Sequence, residues 1–296
     1  MTDPSHTDSG VAQASALLRR HYDANARTLT RTERRVADYL LTLAPADLAF
    51  RSAGEIAAAS DTSDATVIRT ARRLGFSGLP ELKRLINRPI ATHTSPSTRL
   101  GHKIKSVAPD ALAARDAIFA AAQEILEATR EALDPGAIEQ AVTLFENAQT
   151  VWCLGIGVAE QPARHLATGL LRAGLVTQSV ASSGFDLANS MIGLRKGDSL
   201  VIFHAATRRK DIAALIEHAG KIGVSTVLVS GTQLNELFRD QVTVALHSMA
   251  VASKLASWLI GATVIGDLLT FRFSARNTAR ATATHDNLNQ LRAKFE

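Results

Sequence analysis

Three arginines, Arg69, Arg72 and Arg73, crowd the stretch SDATVIRTARRLGF at residues 63 to 76, where Asp64 is the only carboxylate. Guanidinium groups at that density suit phosphate or carboxylate oxygens, which they grip bidentately. A second group lies in VWCLGIGVAEQPARH. Gly155 and Gly157 allow the backbone to approach a ligand closely, and the helix start beyond them offers free N–H groups to an anion. A third is HAATRRKD, in which Arg208, Arg209 and Lys210 follow the apolar run DSLVIFH. Other chemistry is missing. His165, His204, His218 and His247 are scattered, without the H-x-x-x-H spacing of a zinc helix. No G-x-S-x-G elbow occurs. Glu160 stands where a dinucleotide fingerprint needs its third glycine. The single cysteine, Cys153, sits in an apolar run and reads as a small buried hydrophobe. No catalytic residue, metal or cofactor is expected.

A pair of short helices would carry the arginines. TRTERRVADYLLTL opens with Thr30 and Glu33 at capping-box spacing, and Val36, Leu40 and Leu43 then share a face. SAGEIAAAS repeats the device with Ser52 and Glu55. The turn DTSD follows, and Ser63 can cap the next helix. There Val67, Ala71 and Leu74 point one way, while Ala65, Arg69, Arg72 and Arg73 point the other; Gly75 closes it. Two such helices make a helix-turn-helix, whose second member enters a major groove. Asp64, Ala65, Thr66 and Arg69 are the candidates for base edges, beside Ser63 at the cap. Arg72, Arg73, Lys83 and Arg84 are the candidates for phosphates. The partner implied is double-stranded DNA.

The rest of the chain changes rhythm. Residues 1 to 14 are polar and read as frayed, and 15–88 is helical throughout. NRPIATHTSPSTRLGHK, with Pro89, Pro96 and Gly101, reads as a linker over 89–109. A helix is expected at roughly 110 to 133, stopped by DPG, and 110–296 forms the second domain. From about 150 short apolar runs (TVWCLG, LVTQSV, DSLVIFH, STVLVSG, QVTVAL) alternate with helical segments. This predicts a parallel sheet covered on both faces, with a last helix at roughly 251 to 270. Ser182, Ser183 and Ser230 fall at C-terminal strand ends, where open α/β sheets bind ligands. A length of 296 residues suits two domains. Hydrophobic content of 46% and charged content of 21% are globular values, and a net charge of +5 permits an anionic partner. MTDPSHTDSG lacks the features of a signal peptide, and LASWLIGATVIGDLLTF is too short to span a bilayer, so a cytoplasmic protein without a membrane partner is expected.

The run from LTRTERR to ELKRLI, with its T-x-x-E opening, EIA, SDATVIR and LGF, resembles the N-terminal domain of the RpiR family of bacterial transcriptional regulators. Asp61 departs from that pattern, replacing a usual turn glycine, but aspartate tolerates the left-handed conformation. Residues 125 to 270 resemble the family's second half, a SIS (sugar isomerase) domain. The resemblance implies a two-domain α + α/β chain: an all-α helix-turn-helix domain and a three-layer α/β/α domain with a five-stranded parallel sheet. It implies a homodimer or dimer of dimers on a near-palindromic operator, a phosphosugar effector and control of carbohydrate-metabolism genes. It also implies two phosphosugar loops rich in serine and threonine. Here Ala159 replaces the first loop's serine, while His204, Ala206 and Arg209 replace hydroxyl residues of the second; Thr207 remains nearby. Two readings compete: an anion site rebuilt around Arg208 and Arg209, or a loop that binds nothing, leaving a domain that only dimerises. A rival of another class is a sugar-phosphate isomerase-like enzyme with an added helical domain. The missing hydroxyls and the lack of a clear base argue against it.

Overall fold

The computed structural model describes residues 4–48, 51–91, 110–205, 210–249 and 255–295. Most of the expected linker lies outside the described residues. Two compact units emerge, one from the described residues of Met1–Ile125 and Val251–Ser257, the other from those of Leu126–Ala250 and Trp258–Glu296.

The N-terminal unit begins with helix α1 (Pro4–Asn25), so the polar leader is helical from Pro4 rather than frayed from its start. Helix α2 (Arg31–Thr42) starts at a full capping box: Thr30 Oγ1 accepts from the Glu33 amide at 3.3 Å, and the Thr30 amide donates to Glu33 Oε2 at 2.9 Å. After α3 (Pro45–Leu48), helix α4 (Ala53–Ala59) repeats the arrangement with Ser52 and Glu55. Asp61 then turns the chain at φ 50, and Arg35 donates to its carboxylate at 2.7 Å. Helix α5 (Asp64–Arg73) is capped by Ser63, and α6 (Leu79–Ala91) follows. Val36, Leu40, Leu48, Ile56, Val67, Ala71, Leu74, Leu82 and Ile86 meet in one core. Helix α6 runs past the expected end at 88, with Pro89 in its last turn. Helix α7 (Ala111–Ala132) matches the expected span, and its first part belongs to this unit.

In the second unit α8 (Pro135–Glu146) starts at Asp134, whose carboxylate accepts from the Gly136 amide at 3.0 Å. Then come β1 (Val151–Gly155), α9 (Glu160–Arg172), β2 (Thr177–Val180), α10 (Phe185–Met191), β3 (Ser199–His204) and α11 (Lys210–Ile222). β4 (Ser225–Ser230), α12 (Thr232–Phe238), β5 (Val244–His247), α13 (Leu259–Arg276) and α14 (Thr278–Arg292) complete it. The sheet is five-stranded and parallel, in the order β2-β1-β3-β4-β5. Alternate residues of each strand serve opposite faces. Val201 and Phe203 join Phe145, Leu166, Ile265 and Phe273 on one side, while Leu200 and Ile202 join Leu187, Ile212, Ile216 and Phe238 on the other. β3 is buried along its whole length because it has a strand on either side and helices on both faces. The last helices differ from expectation. α13 covers 259–276 rather than 251–270, and α14 follows it with Ala281 as its one buried residue. TARATATHDNLNQLR carries almost no apolar period to reveal it. Arg272 and Arg276 tie α13 to α8 through Glu139 and Glu146, at 2.8 and 2.6 Å, and these guanidinium groups hold the Glu139 carboxyl below its ordinary range.

Candidate DNA-binding helix and effector loops

Helix α5 buries Thr66, Val67, Thr70 and Ala71 and exposes Asp64, Ala65, Ile68, Arg69, Arg72 and Arg73. At about 100° per residue, Ala65 and Arg72 lie opposite the middle of the buried arc, with Ile68 and Arg69 about 50° to either side. The free face is therefore one stripe, basic along one margin, with an isoleucine on the other. Sequence reasoning passed over Ile68; helical phase alone could have found it.

Each arginine of the stripe leans on the fold. Arg69 Nη2 donates to Thr66 Oγ1 at 3.2 Å, Arg72 Nε donates to the Ser77 carbonyl at 3.2 Å, and Arg73 Nε lies 4.0 Å from Glu33. Thr66 does not stand among the exposed candidates. It is 6% exposed, its amide donates to Ser63 Oγ and its hydroxyl meets the same atom at 3.0 Å, so it braces the helix start. Ser63 spends its oxygen as the cap. Lys83 also departs from expectation. It is 2% exposed, and its ammonium lies 3.3 Å from both carboxylate oxygens of Glu124 on α7. A lysine facing the core cannot sit in the solvent layer where phosphates run. The side chain of Arg84 lies outside the described residues.

The C-terminal strand ends of the second unit gather the other candidates. A Cβ on Gly155 would lie 2.0 Å from the Ala159 carbonyl oxygen, so this glycine admits its own chain rather than a ligand. Gly157 takes φ +64 with open space where a Cβ would project. Ala159 is buried in the core and presents nothing to solvent. Ser182 Oγ donates to Ser190 Oγ at 2.6 Å, and Ser183 is exposed. Ser230 is fully buried and donates to Asn235 Oδ1 at 2.6 Å; Asn235 in turn donates to the Leu246 carbonyl. His204 is 8% exposed at the end of β3. Thr207, Arg208 and Arg209 lie outside the described residues. Asp211, which sequence reasoning left out, stands in the first turn of α11 and accepts from the Gly184 amide at 3.3 Å, linking the β3 and β2 loops. Its carboxylate complements the dipole of that helix. The structure thus leaves Gly157 and Ser183 accessible and assigns Ala159 and Ser230 to packing. Among the described residues no cluster of His, Cys, Asp or Glu is arranged to hold a metal, and no helix is long and apolar enough to cross a membrane.

Comparison with known proteins bears on both units. Residues 18–93 match the model of the helix-turn-helix domain of the rpiR family. The N-terminal unit therefore carries an rpiR-type helix-turn-helix domain. Its rpiR-type domain contains every candidate for DNA contact and ends two residues beyond α6. A relative in Haemophilus influenzae, described as an uncharacterized HTH-type transcriptional regulator, is 23% identical over 204 residues, covering 69% of this chain and 70% of the relative. The Vibrio vulnificus NanR protein, solved in complex with ManNAc-6P, aligns with 95% of this chain and 99% of its own at 18% identity and a TM-score of 0.52. The sugar isomerase domain of an RpiR transcription factor from Sphaerobacter thermophilus aligns with 58% of this chain and 96% of its own, at 23% identity and a TM-score of 0.54. At these identities the solved structures speak to the fold alone.

Proposed function

We propose that this chain is a cytoplasmic transcriptional regulator, not an enzyme, which reads a near-palindromic DNA site through α5 as a homodimer or dimer of dimers. Its α/β unit senses a small anionic metabolite, a phosphosugar by first choice, and its targets are genes of carbohydrate metabolism. The observation that carries the reading is the free stripe of α5, in which Ala65, Arg69 and Arg72 face away from the core on a helix entered by a tight capped turn. That is the geometry by which a second helix presents its first turns to base edges. The regulator names of the relatives and the sugar phosphate bound by NanR support the effector class.

The test is anisotropy of labelled duplexes with the full chain. A sequence enriched from a random duplex pool should bind more tightly than a scrambled duplex at moderate salt, and equal binding of both would reject the reading. Turnover of any phosphosugar would revive the isomerase alternative. A second reading, in which the α/β unit serves dimerisation alone, draws on the loops: Ala159 is buried, and Ser182 and Ser230 spend their hydroxyls internally.

A further inference from the structure

Ile68 is 39% exposed and stands outside the N-terminal core cluster, although Val67 beside it is fully buried. Among the described residues of α1 to α6 it is the one large apolar side chain left exposed. It lies a helical turn beyond Ala65 and a turn before Arg72, with Arg69 on the opposite margin of the stripe. The packing of the N-terminal core cluster therefore does not account for an isoleucine there.

The major groove presents one apolar group, the C5-methyl of thymine, among hydrogen-bonding edges. An aliphatic side chain has nothing else there to recognise. From this placement we infer that Ile68 is a specificity-determining residue that packs on a thymine methyl, with the Ala65 methyl completing the contact and Arg69 free for a neighbouring base. The inference rests on the reading of α5 as the groove helix and adds a residue whose chemistry differs from that of the arginines. Ile68 selects by burial of a methyl, so its contribution is insensitive to salt, whereas phosphate contacts weaken as counterions compete.

Replacing thymine by deoxyuridine removes that methyl and leaves every hydrogen-bonding group in place. The full chain is first used to enrich a duplex from a random pool. Each thymine of the enriched duplex is then replaced singly by deoxyuridine, and affinity is measured for the wild type, Ile68→Ala and Arg69→Ala. One position, repeated in each half-site, should weaken the wild type about fourfold, the value of one buried carbon group. Ile68→Ala should bind thymine and deoxyuridine duplexes equally there, with its melting temperature unchanged. Arg69→Ala should bind more weakly yet keep the fourfold ratio. A wild type indifferent to every deoxyuridine, or an Ile68→Ala protein that keeps the ratio, overturns the inference while leaving DNA reading intact. A pool from which nothing is enriched overturns both.

Discussion

Lys83 and Arg69 carry the same charge a few turns apart, yet the fold gives them opposite surroundings. Arg69 projects from α5 on the free stripe, whereas Lys83 is buried against Glu124. Charge alone does not separate an anchor for DNA from a strut inside the protein; burial does. Arg69→Ala should weaken binding to the preferred duplex by about 1–3 kcal/mol while lowering discrimination against other sequences. Lys83→Ala should instead act on stability. Removing one partner strands the Glu124 carboxylate, at about 2 kcal/mol because that group keeps some contact with water. Chemical denaturation of both variants, beside salt titrations of DNA affinity, separates the two. A Lys83→Ala protein of normal stability with a flattened salt slope would return Lys83 to the phosphates. Cys153 shows the same lesson in an apolar setting. Burial pushes its thiol up, out of reach of thiolate chemistry.

Helix starts and turns are where this chain is most explicit. The Thr30–Glu33 and Ser52–Glu55 boxes were legible as spacings, and both close in the structure. The tertiary fold adds a second duty for Glu33, which is 4% exposed and lies near Arg73 of α5. Hydrogen bonding from the Thr30 amide holds the Glu33 carboxyl below its ordinary value of 4.5, with Arg73 assisting. A carboxyl lowered in the folded state stabilises the fold above its unfolded value and loses that contribution as pH falls through the lowered one. Thermal stability should therefore drop as pH falls below about 4.5. Glu33→Gln should be less stable at neutral pH and show a shallower acid loss; parallel pH profiles for both proteins would refute this. The turn before α5 offers another check. Asp61 holds φ 50 and accepts from Arg35. Asp61→Ala tolerates the left-handed conformation less well than aspartate and loses the Arg35 contact, so it should be less stable than the wild type. Asp61→Gly relieves the strain and should be close to neutral. Melting of the two variants tests the order.

For the molecule as a whole, regulation requires that effector and DNA each change the affinity for the other, by the same factor in both directions. If a phosphosugar is the effector, titrating the full chain at about 100 times the dissociation constant should add about 2.7 kcal/mol of stability to the unit that binds it. The same compound should shift DNA affinity in anisotropy. Stabilisation without any change in DNA affinity would mean a ligand that does not regulate. No stabilisation across phosphorylated sugars and sugar acids would favour an α/β unit that serves dimerisation alone.

Amphipathic period and cap spacing by themselves determined the helix-turn-helix, the five strands and their parallel order of alternation with helices, because these are local patterns carried by neighbours in the chain. Length and composition likewise pointed to two units. Only the tertiary structure decided which polar residues remain available, since burial depends on what another element brings up from far along the chain. Glu124 claims Lys83 across 41 residues, and Asp267 meets His165 across 102. The serines at strand ends looked alike until the fold supplied Asn235 to one and Ser190 to another. Helical phase placed Ile68 on the outer side of α5, and the fold decided that no other element covers it fully.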